Sequence, residues 1–137
     1  MKNIGIWLDK DKAYIVQINE NSESIKTLTS ELEHFKVHGG SGTRVKGGPQ
    51  DVVQDSRYLE REKHQLRNYF NDLIPYIEEA DKVAIIGPAE TRLKFKKEID
   101  TKHRHLSDKI TKVAVSDSMT TNQIKAYFRS YFNDLKT

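Results

Sequence analysis

The chain has 137 residues, of which 36% are apolar and 31% are charged, and its formal net charge is +3. This length suits one domain, residues 1–137, with a single hydrophobic core. The sequence contains no cysteine, which excludes disulfides and thiolate metal sites and agrees with a reducing cytoplasm. No stretch approaches the roughly 20 apolar residues that a membrane span requires, so we expect no membrane partner.

The first thirty residues predict three short strands. Residues 4–8 read Ile-Gly-Ile-Trp-Leu, which is typical of a strand covered on both faces. Residues 13–18 are rich in β-branched and aromatic side chains, and residues 24–32 form a weaker third strand. Because the connections are short turns, we expect an antiparallel meander.

Helices and strands then alternate. Apolar residues at spacings of three, four and seven predict a long helix that Asp55 or Ser56 caps and that Pro75 kinks or ends near Ile74. A buried strand at 83–86 and a helix bearing several lysines follow.

A fifth strand, residues 109–117, precedes a last helix capped by Thr120 or Thr121. The order βββαβαβα predicts an α/β fold. Its mixed five-stranded sheet has ribonuclease-H-like topology, with helices packed on its faces.

Residues 36–50, KVHGGSGTRVKGGPQ, have no periodic apolar pattern. Loops longer than roughly 12–15 residues are uncommon in compact domains and are usually functional or disordered. Glycine has no side chain to block close approach, so such a segment can bring backbone N–H groups and cations to phosphates. It is not a Walker loop, because the Gly-Lys-Ser/Thr ending is absent.

With the segments HGGSGTRVKGGPQ, YLEREKHQLRNYFNDL and VAIIGPAETRLKFKKEI in this order, the chain resembles the middle domain of eukaryotic and archaeal class-1 peptide release factors and of Pelota. The closing VSDSMTTNQIKAYFRSYF is similar to stand-alone bacterial relatives of that domain. The resemblance implies a translation-associated module that binds the ribosome, ribosomal RNA or tRNA, with no cofactor or metal.

In the release factors the loop tip is Gly-Gly-Gln, which helps water to attack peptidyl-tRNA. Here the two glycine pairs read GGS at 39–41 and GGPQ at 47–50. Pro49 removes a backbone N–H where the motif needs a free amide. We therefore expect binding without peptidyl-tRNA hydrolysis, as the resemblance to Pelota implies.

Candidate RNA-binding residues combine loop glycines with cations that can neutralise phosphates. They are Lys36, Gly39, Gly40, Arg44, Lys46, Gly47, Gly48, Gln50, Arg57 and Arg61. A second basic surface comprises Arg92, Lys94, Lys96 and Lys97. If the loop retains hydrolytic chemistry, His38 as a base and Gln50 are the catalytic candidates.

Two other classes of function stay open. A metal nuclease would gather Asp9, Asp117 and either Glu60 or Glu62, although Asp9 also fits an ordinary turn. His103 and His105 are too few for a metal site and fit an exposed linker. A protein-interaction domain is the third class. The aromatic stripe of the last helix fits the core, and any exposed part of it would serve a partner or a homo-oligomer. Its members are Tyr127, Phe128, Tyr131 and Phe132.

Overall fold

The computed structural model describes residues 2–30 and 48–136. Within those ranges it describes all side chains except those of residues 48–59, 62 and 136. The described residues form five strands and four helices. The strands are β1 (Asn3–Leu8), β2 (Lys12–Ile18), β3 (Glu23–Thr29), β4 (Lys82–Gly87) and β5 (Ile110–Val115). The helices are α1 (Gly48–Glu79), α2 (Thr91–Lys102), α3 (Arg104–Ser107) and α4 (Thr121–Lys136).

The strands form one mixed sheet in the order β3-β2-β1-β4-β5. Short turns join β1 to β2 and β2 to β3, so these pairs are antiparallel. Helical crossovers precede β4 and β5, so both run parallel to β1. The prediction of an α/β fold with a mixed five-stranded sheet is confirmed. We call the end with the β1–β2 turn the stem end, and the end with Asn3 and the β2–β3 turn the far end.

One face of the sheet packs against α1 and α2. Ile4, Ile6 and Leu8 of β1 are fully buried there, because alternate residues of a strand point to the same face. Their partners on the helices repeat at helical spacing, and all are buried. They are Leu66, Tyr69, Phe70, Leu73, Ile74, Ile77, Phe95 and Ile99.

The other face packs against α4. Trp7 and Val16 contact a stripe of α4 that includes Phe128 and Phe132, so these two aromatic residues are core, as predicted. Gly5 lies directly under the ring of Phe128, where a Cβ atom would overlap the ring. The absence of a side chain at position 5 therefore lets α4 settle on the sheet.

Thr120 caps α4 from both directions. Its Oγ1 accepts a hydrogen bond from the Gln123 amide at 3.1 Å, and its own amide donates to the Gln123 side-chain oxygen at 3.0 Å. This reciprocal arrangement is a capping box. It confirms Thr120, one of the two predicted caps.

The long helix α1 begins earlier than predicted. Its first residue is Gly48 rather than one near Asp55 or Ser56, so Gln50 belongs to the helix and not to the loop. Pro49 explains the difference. Its fixed φ favours the first helical turn, and its missing N–H has no helical partner to lose there.

The helix also continues past Pro75, where we expected a kink or an end, and stops at Glu79. Proline inside a helix costs about 3 kcal/mol. Leu73, Ile74 and Ile77 flank it and are buried, which stabilises the helix by roughly 1.5–3 kcal/mol each. Burial on this side therefore outweighs the proline, whose own ring is exposed.

The segment around His103 and His105 is largely exposed, as predicted for a linker, but part of it is helical. Residues Arg104–Ser107 form the short helix α3, which buries Leu106 against the α1 face. Leu106 thus gives the chain an apolar contact at this point that the polar sequence around it did not reveal. None of the helices in the described ranges combines the length and apolar character of a membrane span.

We expect Gly5→Ala to destabilise the fold by about 1–3 kcal/mol, because the added methyl group overpacks the Phe128 contact. Phe128→Ala alone removes a buried ring and costs about 3–5 kcal/mol. The double variant should lose at least about 1 kcal/mol less than the sum, as measured by urea unfolding. Gly87→Ala is the control. A methyl group added at position 87 meets the Leu8 carbonyl oxygen and not Phe128, so its loss should add in full to that of Phe128→Ala. Additive losses for Gly5 and Phe128 would contradict the proposed contact.

Candidate nucleic-acid interface

The chain enters the predicted loop from a fixed point. Ser30, the last described residue before it, is 8% exposed and lies beside the β1–β2 turn. Its amide donates a hydrogen bond to the Asp11 carbonyl at 2.9 Å, and its hydroxyl donates to the Lys10 carbonyl at 2.6 Å. The described chain before the loop therefore ends at the stem end of the sheet.

The same turn holds the long helix. The buried Tyr69 hydroxyl of α1 donates a hydrogen bond to the Asp9 carbonyl at 3.0 Å. Burial raises the pKa of Tyr69, and the carboxylates of Asp9 and Asp11 raise it further, so the phenol stays protonated and keeps donating. The turn thus joins the segment before the loop to the helix after it.

The carboxylate of Asp9 belongs to this turn. Its Oδ1 accepts hydrogen bonds from the amides of Asp11 at 2.8 Å and Lys12 at 2.9 Å. Within the described residues, Asp9, Glu60 and Asp117 do not form a group of three ligands that could hold a metal ion. The turn interpretation of Asp9 is therefore confirmed, and the described side chains give the nuclease hypothesis no metal centre; the side chain of Glu62, its alternative ligand, lies outside the described residues.

The two histidines do not build a site either. The rings of His103 and His105 lie 6.4 Å apart, and His105 faces Glu78 at 3.7 Å. These residues are not part of any metal-binding group in the portion of the chain that the structure describes.

Most predicted loop residues lie outside the described residues. These are Lys36, His38, Gly39, Gly40, Arg44, Lys46 and Gly47. Gly48, Gln50 and Arg57 are described only as backbone positions of α1. Further along α1, Arg61, Lys63 and Arg67 have exposed side chains, with the exposed acid Glu60 beside them. Their contribution to RNA binding stays a prediction.

The second basic surface divides into two kinds of cation. Lys96 donates hydrogen bonds to both carboxylate oxygens of Asp100, at 2.9 and 2.8 Å, and one guanidinium nitrogen of Arg92 turns back to the Ala89 carbonyl. Lys94 and Lys97 are exposed and have no ion pair within the described residues. Since they lie three positions apart on α2, these two share one side of the helix.

A small cavity of about 220 Å³ lies at the stem end, between the β1–β2 turn, α1 and the start of α2. We call it the stem cleft. Its lining residues are Lys10, Leu66, Ala89, Glu90, Thr91 and Lys94. Sequence analysis singled out Lys94 alone among them, because no periodicity connects Lys10 with Thr91.

A larger groove of about 950 Å³ lies at the far end, beside the β2–β3 turn. Arg129 of α4 spans one side of it and donates hydrogen bonds to both carboxylate oxygens of Glu23, at 2.8 and 2.7 Å. These hydrogen bonds lower the pKa of Glu23. The sequence did not predict this groove. The feature that could have indicated it is Asn3, which lines the groove and is a polar residue in a strand that is otherwise apolar.

The half-buried tyrosines of α4 are covered by a cation of the neighbouring strand. Lys112 Nζ lies 5.6 Å from the ring centre of Tyr127 and 5.1 Å from that of Tyr131. The Tyr131 hydroxyl also hydrogen-bonds to the Thr111 hydroxyl at 2.9 Å. Both rings therefore serve the packing of α4 on the sheet.

No family model matches this chain, and no curated protein does. Among solved structures, Pelota from Archaeoglobus fulgidus matches 95% of the chain with a TM-score of 0.56 and 8% identity. The chain shares the fold of one part of Pelota. Pelota from Thermoplasma acidophilum matches 93% of it with a TM-score of 0.52 and 13% identity. An archaeal translation termination factor matches 98% at 14% identity, with a TM-score of 0.49 and 40% of its own length covered.

The predicted resemblance to Pelota is thus confirmed as a likeness of fold. This chain spans only 31% of the length of each Pelota structure.

We expect Tyr69→Phe to lower the free energy of unfolding by about 1 kcal/mol, because it removes the hydrogen bond to the Asp9 carbonyl. Tyr76→Phe is the matched control. Tyr76 lies on the same helix, is half-buried, and its hydroxyl has no hydrogen-bond partner in the described part of the chain. Urea unfolding measures both variants, and equal losses would refute the anchoring role of Tyr69.

Glu23→Gln should make stability less dependent on pH. The ordinary pKa of Glu23 is 4.5, and Arg129 lowers it in the folded protein. The pair therefore stabilises the fold above pH 4.5, and this contribution is lost as the pH falls through the lowered pKa. Because Arg129 is 57% exposed, we expect less than about 1 kcal/mol.

Urea midpoints at neutral and acid pH measure the effect. The gap between wild type and Glu23→Gln should narrow as the pH falls. Glu20→Gln is the control, since Glu20 lines the same groove without an ion pair among the described residues. A gap that stays constant with pH argues against the pair.

Proposed function

We propose that this protein is a cytoplasmic, translation-associated module that binds the ribosome through residues 36–50 and does not hydrolyse peptidyl-tRNA. The observation that carries the proposal is the Pelota-like fold, which covers 95% of the chain at a TM-score of 0.56. The partner is ribosomal RNA or tRNA, and the contact is made chiefly by backbone and cations.

The anchoring of the loop supports this proposal. Ser30 fixes the chain before the loop to the β1–β2 turn, and Tyr69 fixes α1 to the same turn. A segment that starts from a rigid base loses less freedom on binding than one attached to a mobile base. Its glycines and cations suit a narrow polyanionic site, because small residues let the backbone approach phosphates closely.

The start of α1 supports the absence of hydrolysis. The release-factor motif needs glutamine directly after two glycines, whereas Pro49 intervenes here. Gln50 is the third residue of α1, so its backbone is helical. A glutamine in a helix is not free to adopt the conformation of a loop tip.

Co-sedimentation with ribosomes at low and high salt tests the proposal. We expect binding that weakens with salt, and we expect Arg44→Ala with Lys46→Ala to reduce it. Log K falls as log salt rises, and each lost phosphate contact should make this slope less steep by roughly 0.7–0.9. The slope of the double variant should therefore be less steep by about 1.4–1.8.

Lys102→Ala with Arg104→Ala is the matched control, because it also removes one lysine and one arginine, both at the far end of the sheet. If both double variants bind alike, the loop has no role. Binding that does not respond to salt would favour a protein partner instead. Release of peptide from peptidyl-tRNA that His38→Ala or Gln50→Ala abolishes would replace the proposal with a hydrolase.

A further inference from the structure

The stem cleft contains a buried hydroxyl that the protein does not use. Thr91 is only 6% exposed and lines the cleft. Its hydroxyl has no hydrogen-bond partner among the residues that the structure describes. It is also not one of the fully enclosed unpartnered atoms, so the hydroxyl keeps some solvent access, and Thr91 is a lining residue of the cleft. Buried polar groups are rarely left unbonded, and this hydroxyl is available to a ligand.

The charges around the cleft select an anion. Lys10 and Lys94 contribute two cations, and the exposed Glu90 contributes one acid. Thr91 begins α2, a helix of 12 residues with no acid in its first turn, so the positive end of the helix dipole also faces the cleft. Lys94 has no ion pair in the described part of the chain, and its charge remains available for a ligand.

The size and walls of the cleft limit the kind of anion. About 220 Å³ corresponds to roughly seven water molecules, enough for a phosphate group and part of an attached sugar. Leu66 and Ala89 supply an apolar wall on which the carbon atoms of a ribose can rest. A flat base would find no aromatic ring among the lining residues.

We propose that the stem cleft binds one phosphate group of an RNA backbone, through the Thr91 hydroxyl and the Lys94 ammonium group. The hydroxyl donates a hydrogen bond to a phosphate oxygen, and the ammonium group neutralises its charge. The identity of the nucleic acid rests on the proposed function, whereas the phosphate chemistry rests on the cleft itself. A phosphate held here would fix RNA next to Ser30, where the loop begins.

Fluorescence anisotropy with a short labelled oligouridine tests the cleft without ribosomes. Across about 50 to 200 mM salt, Lys94→Ala should make the fall of log K with log salt less steep by about 0.7, the value for one contact to single-stranded RNA. Lys102→Ala is the matched control, because it removes the same charge from the other end of the same helix, outside the cleft lining and the second basic surface. Its slope should stay that of the wild type.

Thr91→Val keeps the shape of the side chain and removes the hydroxyl. We expect about tenfold weaker RNA binding, because a hydrogen bond to a charged group is lost. The unfolding midpoint should not fall, since the hydroxyl has no partner among the described residues. Glu90→Gln removes the opposing charge and should tighten binding.

Inorganic phosphate serves as a second probe, followed through the amide NMR signals of Thr91 and Lys94. Saturable shifts that RNA competes away support the site. Shifts that RNA does not affect assign the cleft to free phosphate and overturn the RNA assignment. Equal losses in Lys94→Ala and Lys102→Ala, or unchanged binding in Thr91→Val, overturn the site.

The two proposals fail separately. If the cleft variants bind oligouridine and ribosomes like the wild type while the loop variant does not, the cleft is wrong and the ribosomal function stands. If oligouridine binds the cleft but the protein never sediments with ribosomes, the cleft stands and the ribosomal function is wrong.

Discussion

Three consecutive carbonyl groups of the β1–β2 turn hold together the parts of the chain that frame the loop. The carbonyl of Asp9 accepts a hydrogen bond from Tyr69, that of Lys10 from the Ser30 hydroxyl, and that of Asp11 from the Ser30 amide. The Asp9 carboxylate stabilises the turn itself by accepting hydrogen bonds from two backbone amides. Because the acceptors are backbone atoms, this anchor depends on the shape of the turn more than on its side chains. The same turn presents Lys10 to the stem cleft.

The layers of the fold could be predicted because they follow from periodicity. Ile4, Ile6 and Leu8 alternate with Gly5 and Trp7, and the structure buries both sets on opposite faces of the sheet. The limits of α1 could not be predicted in the same way. Proline generally disfavours helices. This rule does not reveal that Pro49 occupies the first turn of α1, where proline is tolerated, or that burial of the residues next to Pro75 offsets the cost of a proline inside the helix.

The candidate site was harder to predict than the fold. The four cations of the second basic surface look alike in sequence, although the Lys96–Asp100 pair could be inferred from its spacing of four residues. The hydrogen bond from Arg92 to the Ala89 carbonyl is a local contact that the residue types do not reveal, and the closeness of Lys10 to Thr91 depends on tertiary structure. The unused Thr91 hydroxyl has no signal in sequence, since threonine at a helix start normally suggests a cap.

The two ends of the sheet differ in how their cations are used, and this difference gives the molecule a direction. At the far end, Lys2 pairs with Glu79, Lys109 donates to the carbonyls at the end of α1, and Arg129 pairs with Glu23. Lys82 and Arg104 are exceptions there, as neither has an ion pair among the described residues. At the stem end and along the exposed side of α2, Lys94 and Lys97 keep their charge for solvent or a ligand.

A net charge of +3 is too small to draw the whole protein to RNA strongly. Cations that are already paired add little to an external field, so the unpaired lysines of α2 contribute more to it than their number suggests. In the described part of the chain, a polyanion would meet unpaired cations at the stem cleft and along the exposed side of α2. Orientation therefore arises from the selective pairing of charges, with no need for a strongly basic sequence.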